Sequence, residues 1–216
     1  MRLQRYVDCA RLNGQVIRLL ARHRWVRPGH VAQSYDRLAP DYDQAWLLHL
    51  HGTTRRLLDH LPDDIPPGDL LDLGCGTGFA ALQLAARHPG RPLIACDLSP
   101  GMIAEARTRP GAGAIEWHVA DMLAFLAARP AASAALAAAA WSAGYADFRR
   151  FCRETRRVLV PGGRLAFVVN LAGTLGPLRR AFRYCMQAHA ADLQCLARFP
   201  FPRSPLAVRA DLKRAG

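Results

Sequence analysis

Between residues 70 and 119, short apolar runs alternate with helical stretches at intervals that suit a layered fold. Leu70-Leu71-Asp72-Leu73 reads as a strand, Phe79 to Arg87 as a helix, Pro92 to Cys96 as a strand, Pro100 to Arg107 as a helix and Ile115 to Val119 as a strand. Strand–helix alternation of this kind signals parallel βαβ units with helices on both faces of the sheet. The chain is therefore expected to be α/β, with a doubly wound, mostly parallel sheet. Nine alanines in residues 131–143 give periodicity little to act on, and a fourth strand is placed near Ala134–Ala140. Asp147 to Leu159 follows as an arginine-rich helix and Pro161-Gly162-Gly163 as a turn. Arg164 to Asn170 is the fifth strand, its apolar run typical of a strand buried on both faces. At 216 residues, 51% of them hydrophobic, the chain suits one α/β domain with appendages.

The appendages carry the charge. The net charge is +12, yet residues 31–175 hold 14 Arg against 14 Asp or Glu, so the excess divides as +6 on residues 1–30 and +6 on residues 176–216. The expected organisation is a basic N-terminal helical extension (1–30), a ligand-binding domain (31–175) and a basic helical C-terminal segment (176–216) that covers substrate or is truncated. Leu3, Tyr6, Val7, Ala10, Ile17 and Leu20 recur at helical spacing, interrupted near Gly14 and closed by Pro28-Gly29. This face packs on the domain or, as a competing reading, lies peripherally on a membrane. Residues 43–60 form a second helical stretch. Pro177 begins another, with Leu178, Phe182, Cys185, Leu193 and Leu196 on one face, before FPFPRSP breaks the chain. Basic flanks attract nucleic acid, anionic lipid or an acidic carrier protein. Codon bias is the plainer explanation, since Lys213 is the sole lysine among 29 basic residues. No apolar run spans a bilayer, and the first residues lack the apolar centre of a secretory signal. The six cysteines show no zinc-ligand spacing, which leaves reduced thiols in a cytoplasmic protein and no metal.

The most specific segment is Leu71-Asp72-Leu73-Gly74-Cys75-Gly76-Thr77-Gly78-Phe79, a strand running into a glycine turn and a helix. Such a turn lies at the carboxyl ends of the strands, where doubly wound sheets bind cofactors. Asp97 closes the second strand 19 residues after Gly78, placed to accept hydrogen bonds from ribose hydroxyls. Asp121 follows the third strand and suits an adenine amino group, with the Met122 backbone amide beside it. Each aspartate alone also reads as a helix N-cap. Together with the turn they trace one nucleotide-like pocket. The dinucleotide fingerprint would place glycine where Phe79 stands, which argues against a pyrophosphate ligand.

G-x-G-x-G instead resembles motif I of the class I S-adenosylmethionine-dependent methyltransferases, whose fold is Rossmann-like. Tyr35-Asp36-Arg37-Leu38-Ala39-Pro40-Asp41-Tyr42-Asp43 is similar to the YDxxAxxYD opening of small-molecule members. Residues 157–165, RVLVPGGRL, are similar to their turn into strand five. The resemblance covers about residues 33–170 and implies residue roles. Gly74, Gly76 and Gly78 would line the methionine and ribose, Asp72 would reach the methionine ammonium, Asp97 would hold the ribose and Asp121 the adenine. Cys75, Leu98 and Met122 complete the implied cofactor set, and Tyr42 or Tyr35 would close the methionine pocket. The cofactor implied is S-adenosylmethionine, leaving as S-adenosylhomocysteine.

Departures from the pattern are as definite. Strand four begins with alanine and ends at Trp141-Ser142-Ala143-Gly144-Tyr145, the NPPY-type signature is absent, and the last two strands of relatives are missing or divergent here. No catalytic residue is assigned. Trp141 and Tyr145 are candidates for the substrate side, and Tyr145, His49, His51 and His189 are candidate contributors of a base. The reading that follows is in-line methyl transfer to a small-molecule or carrier-bound acceptor. Its alternatives are RNA methylation, suggested by the basic flanks and less favoured, and a methyltransferase-like binding or scaffold protein without turnover. Oligomeric state is left open.

Overall fold

In the computed structural model, residues 2–46, 50–174, 176–197 and 201–216 are described. Five strands, β1 (Asp69–Leu73), β2 (Leu93–Asp97), β3 (Ile115–Val119), β4 (Ala134–Ala140) and β5 (Leu159–Val168), form one sheet in the order β3-β2-β1-β4-β5, with every pairing parallel. The order reverses at β1, which lies between β2 and β4. A crevice opens beyond the carboxyl ends of the strands at such a switch point.

The described helices are α1 (Arg2–Ala21), α2 (Pro28–Leu38), α3 (Tyr42–Trp46), α4 (Gly52–Asp59), α5 (Phe79–Arg87), α6 (Pro100–Arg107), α7 (Met122–Ala128), α8 (Phe148–Val158), α9 (Gly176–Ala188) and α10 (Pro205–Ala215). Strand alternation divides the core into two layers. Leu70, Ala95, Leu136 and Ala138 face α4, α5 and α6 through Leu58, Leu84 and Ile103. Leu71, Leu73, Cys96, Ala137 and Ala139 face α7, α8 and α10 through Leu126, Phe151 and Leu212. Residues Ala134–Ala139 are buried on both faces, so no polar side chain alternates with the apolar ones. Their small side chains leave room for bulky partners, and Phe148, Phe151 and Phe167 pack together on one side. The alanine-rich fourth strand is thus a central structural strand.

Several expectations require correction. The Pro161-Gly162-Gly163 turn does not precede the fifth strand but interrupts it. Leu159 already pairs with Ala134, and the register then jumps so that Leu136 pairs with Arg164, with Gly162 at φ +78° in the bulge. α1 is not interrupted at Gly14 and runs straight through it. Its inward side is also different: Leu12 and Leu19 are buried, while Tyr6 is 75% and Ile17 65% exposed. Pro28 opens α2 rather than closing a helix, because the first helical turn needs no N–H from it. α9 ends at Ala188, and Phe182 and Cys185 on it are exposed. The stretch 43–60 is divided into α3 and α4, and residues 47–49 between them lie outside the described residues.

The two basic flanks meet. α1 packs against α9, and the Gln15 side chain donates to the Leu193 carbonyl at 2.7 Å. The Val26 amide donates to Leu196 O at 2.9 Å, and the Leu196 amide to Arg24 O at 2.8 Å. The link between α1 and α2 is thereby fixed to residues 193–196. After β5 the described residues form helices rather than further strands. Among the described residues, no helix is long and apolar enough to cross a membrane.

Candidate active site

The glycine turn is held by two backbone hydrogen bonds to the next strand: the Gly74 and Cys75 amides both donate to Cys96 O, at 2.7 and 3.0 Å. This draws the end of β1 over β2. Gly74 has φ +71°, and a Cβ there would lie 2.3 Å from Ser142 Cβ, whose hydroxyl donates to Leu73 O. The first glycine therefore admits the loop after β4. Gly76, at φ +54°, has open space where a side chain would project, and its amide donates to Asp97 Oδ2 at 2.9 Å. Gly78, at φ +85°, serves packing instead, since a Cβ would lie 2.7 Å from the Trp117 ring.

The elements converge on a cleft of about 220 Å³ with a smaller cavity of about 70 Å³ alongside. Tyr35, Tyr42, Gly74, Gly76, Asp97, Leu98, Asp121, Met122, Trp141 and Tyr145 all line the cleft. Asp72 and Cys75 line the smaller cavity, which shares Tyr42, Gly74, Gly76 and Trp141 with the cleft. Of the residues singled out from the sequence as cofactor- or substrate-binding, Gly78 alone lines neither space.

The three aspartates occupy distinct electrostatic settings. Asp97 accepts the Gly76 amide on one oxygen and the Ser99 amide on the other, each at 2.9 Å. Burial holds its carboxyl above the usual carboxylate range, and those amides offset only part of that rise. Each oxygen retains a lone pair for a further donor. Asp121 caps α7 through Oδ1 alone, which accepts the Leu123 and Ala124 amides at 3.0 Å each, so Oδ2 stays free. Asp72 is 1% exposed, and neither of its oxygens has a hydrogen-bond partner of normal geometry. Burial raises it to about 7, and the nearby Asp97 charge adds to the shift. The Ala81 backbone amide offsets only part of this shift, so an ammonium entering the adjoining cavity would meet an electrostatic partner there.

The paired Tyr-Asp steps divide their labour. Tyr35 and Tyr42 line the cleft and pack edge to face, with ring centroids 5.9 Å apart. The aspartates beside them turn away and fasten the covering helices. Asp36 Oδ1 accepts the Ser99 hydroxyl at 2.5 Å and the Gly101 amide at 2.9 Å, pinning α2 to the start of α6. Asp43 accepts the Thr77 hydroxyl at 2.8 Å and pairs with Arg109, tying α3 to the glycine turn. Sequence reading missed Asp36 and Asp43 as positioning residues, although the repeated Tyr-Asp pair was the available signal.

The remaining wall comes from the loop after β4. Trp141 holds φ +66°, a left-handed conformation that a bulky side chain adopts only when its surroundings enforce it. The Tyr145 and Tyr35 hydroxyls are 3.1 Å apart, and the Tyr145 ring packs on Phe201 at 5.7 Å. Burial raises both Tyr35 and Tyr42, the latter to about 12, so these phenols remain protonated at neutral pH. Of the histidine candidates, His51 stacks on Phe79 at 3.8 Å in the smaller cavity, and burial lowers its pKa. His189 lines neither space and lies 3.5 Å from Asp192, and His49 falls outside the described residues.

Fold order, glycine turn and converging aspartates define an adenosyl-cofactor domain, and comparison with known proteins specifies it. Residues 70–163 match a family model described as a methyltransferase domain. The chain is 38% identical over 155 residues to a malonyl-[acyl-carrier protein] O-methyltransferase of Dechloromonas aromatica, covering 70% of this chain and 55% of that protein. It is 36% identical over 137 residues to a demethylmenaquinone methyltransferase of Thermus thermophilus, covering 61% of each. A solved S-adenosylmethionine-dependent methyltransferase of Thermotoga maritima shares the fold with a TM-score of 0.60 at 19% identity, over 87% of this chain and 81% of that one. The chain carries a class I S-adenosylmethionine-dependent methyltransferase domain. It spans just over half the length of the malonyl-[acyl-carrier protein] O-methyltransferases from Dechloromonas aromatica and Alcanivorax borkumensis, at 55% and 57%.

Proposed function

We propose that this chain binds S-adenosylmethionine in the cleft and its side cavity and transfers the methyl group to the carboxylate of a carrier-bound acyl group. The observation that carries the cofactor reading is the convergence of Asp72, Asp97 and Asp121 on two joined spaces. Asp72 would receive the ammonium, Asp97 the ribose hydroxyls and Asp121 Oδ2 the adenine amine, while the open side of Gly76 admits the ligand backbone. When bound, the cofactor supplies a methyl group on a positively charged sulfur that leaves as a neutral thioether.

Two arguments support a carboxylate acceptor. The curated relatives include malonyl-[acyl-carrier protein] O-methyltransferases. Among the described residues that line the cleft there is no histidine or lysine, and the buried Tyr35 and Tyr42 phenols keep their protons. Such a wall suits a nucleophile already ionised at neutral pH, as a carboxylate is. An oxygen lone pair forms the new O–CH3 bond, the C–S bond breaks towards sulfur, and no proton moves. The protein aligns the reactants and excludes water, and alignment alone contributes about 7–11 kcal/mol in well-oriented reactions.

Incubation with S-adenosylmethionine and malonyl-N-acetylcysteamine, with mass-spectrometric detection of the methyl ester and S-adenosylhomocysteine, tests this reading. Cofactor binding without ester formation would reject the carboxylate acceptor, and absence of cofactor binding would reject the whole reading.

A further inference from the structure

Arg27 is the single cation among the described residues that line the cleft. Other partly buried arginines of the domain are paired: Arg87 with Asp63, Arg109 with Asp43, Arg129 with Asp69 and Arg157 with Glu154. Among the described residues no acidic side chain pairs with the Arg27 guanidinium, and the carboxylates lining the same cleft, Asp97 and Asp121, accept backbone amides instead. Those two carboxylates repel an anionic acceptor, so an anion entering the cleft needs a compensating cation.

The backbone under Arg27 is held in place. Its amide donates to His30 Nδ1 at 3.2 Å, and its carbonyl accepts the His30 amide at 2.9 Å. Pro28 follows as the first residue of α2, and Val26 is bonded to Leu196. Asp36, two turns further along α2, anchors that helix to α6. A guanidinium on so fixed a base can present paired N–H donors to an oxyanion in one geometry.

Resting on the methyl-transfer reading above, we infer that Arg27 is a specificity-determining residue that receives an anionic oxygen group of the acceptor. Two groups of a carrier-bound acyl chain share that chemistry: the free carboxylate of the acyl end and the phosphate of the carrier's arm. Arg27 selects for acceptors bearing one of them and disfavours neutral analogues.

The test measures binding to wild-type protein saturated with S-adenosylhomocysteine, and to Arg27→Ala and Arg27→Lys. The first probe pair is malonyl-N-acetylcysteamine and its neutral methyl ester, and the second is 4′-phosphopantetheine and pantetheine. The anionic member of one pair is expected to bind about tenfold or more tightly than its neutral partner. Arg27→Ala is expected to abolish that preference and Arg27→Lys to retain part of it, with S-adenosylhomocysteine affinity unchanged within about twofold. A preference in the first pair assigns the carboxylate, and one in the second assigns the phosphate. Equal binding within both pairs, no binding of any probe, or a preference that survives Arg27→Ala overturns the inference. Failure of the wild-type protein to bind S-adenosylhomocysteine would instead overturn the methyltransferase reading itself.

Discussion

The Gly76 amide donates to the Asp97 carboxylate at 2.9 Å, which joins the glycine turn after β1 to the end of β2 without any ligand. The Asp97 carboxylate, which lines the cleft, is thereby held in one orientation, as the proposed ribose contact requires. Preorganisation of this kind lowers the ordering cost of binding.

The two cleft glycines are expected to fail differently. Gly74→Ala places a methyl group against Ser142 at a positive φ, and should cost about 2–4 kcal/mol of stability. Gly76→Ala meets no atom within 4 Å, so its cost should stay near about 1 kcal/mol while cofactor affinity falls. Thermal melts with and without S-adenosylhomocysteine separate the two: Gly74→Ala lowers the ligand-free melting temperature, and Gly76→Ala chiefly reduces the ligand-induced rise.

Asp72 should give the ligand-free protein a pH-dependent stability. Its carboxyl titrates near 7 in the folded state, against an ordinary value of 3.8. Between those values the native state holds a proton that the unfolded chain has released, so stability falls as pH rises from about 4 to about 7 and is level above. Urea denaturation at pH 5.5 and 7.5 should show a loss of about 2 kcal/mol that Asp72→Asn removes. Because an ammonium ligand favours the ionised carboxylate, cofactor affinity should rise over the same interval.

Asp36→Ala should free α2 from α6 by removing the acceptor for Ser99 and Gly101. The expected loss is about 2–3 kcal/mol of stability, with an increase in KM for acceptor that exceeds the change in kcat. Asp36→Asn keeps the accepting oxygen and should restore most of both. Equal KM values for wild-type and Asp36→Ala proteins would show that α2 does not position the acceptor wall.

The sheet was readable because each strand from Asp69 to Val119 is short and bounded by helix signals, and Gly74, Gly76, Asp97 and Asp121 stand at or just after strand ends. The bulge in β5 was not readable, since Pro161-Gly162-Gly163 has the same composition whether it precedes a strand or interrupts one. The inward side of α1 was misread because apolar residues occur all round it: Leu12 and Leu19 turn in, whereas Tyr6 and Ile17 of the expected stripe turn out. Gly78 looks in sequence like its two neighbours, and only the position of Trp117 reveals its packing role. Asp36 and Asp43 escaped notice because their partners lie 63–65 and 34–66 residues away, at separations no local pattern encodes.

The most direct test of the account is calorimetric titration of the protein with S-adenosylmethionine, repeated on Asp97→Ala. One site per chain is expected, with affinity at least about tenfold weaker in the variant. No binding to the wild-type protein, or equal affinity in the two, would contradict the assignment of the cleft.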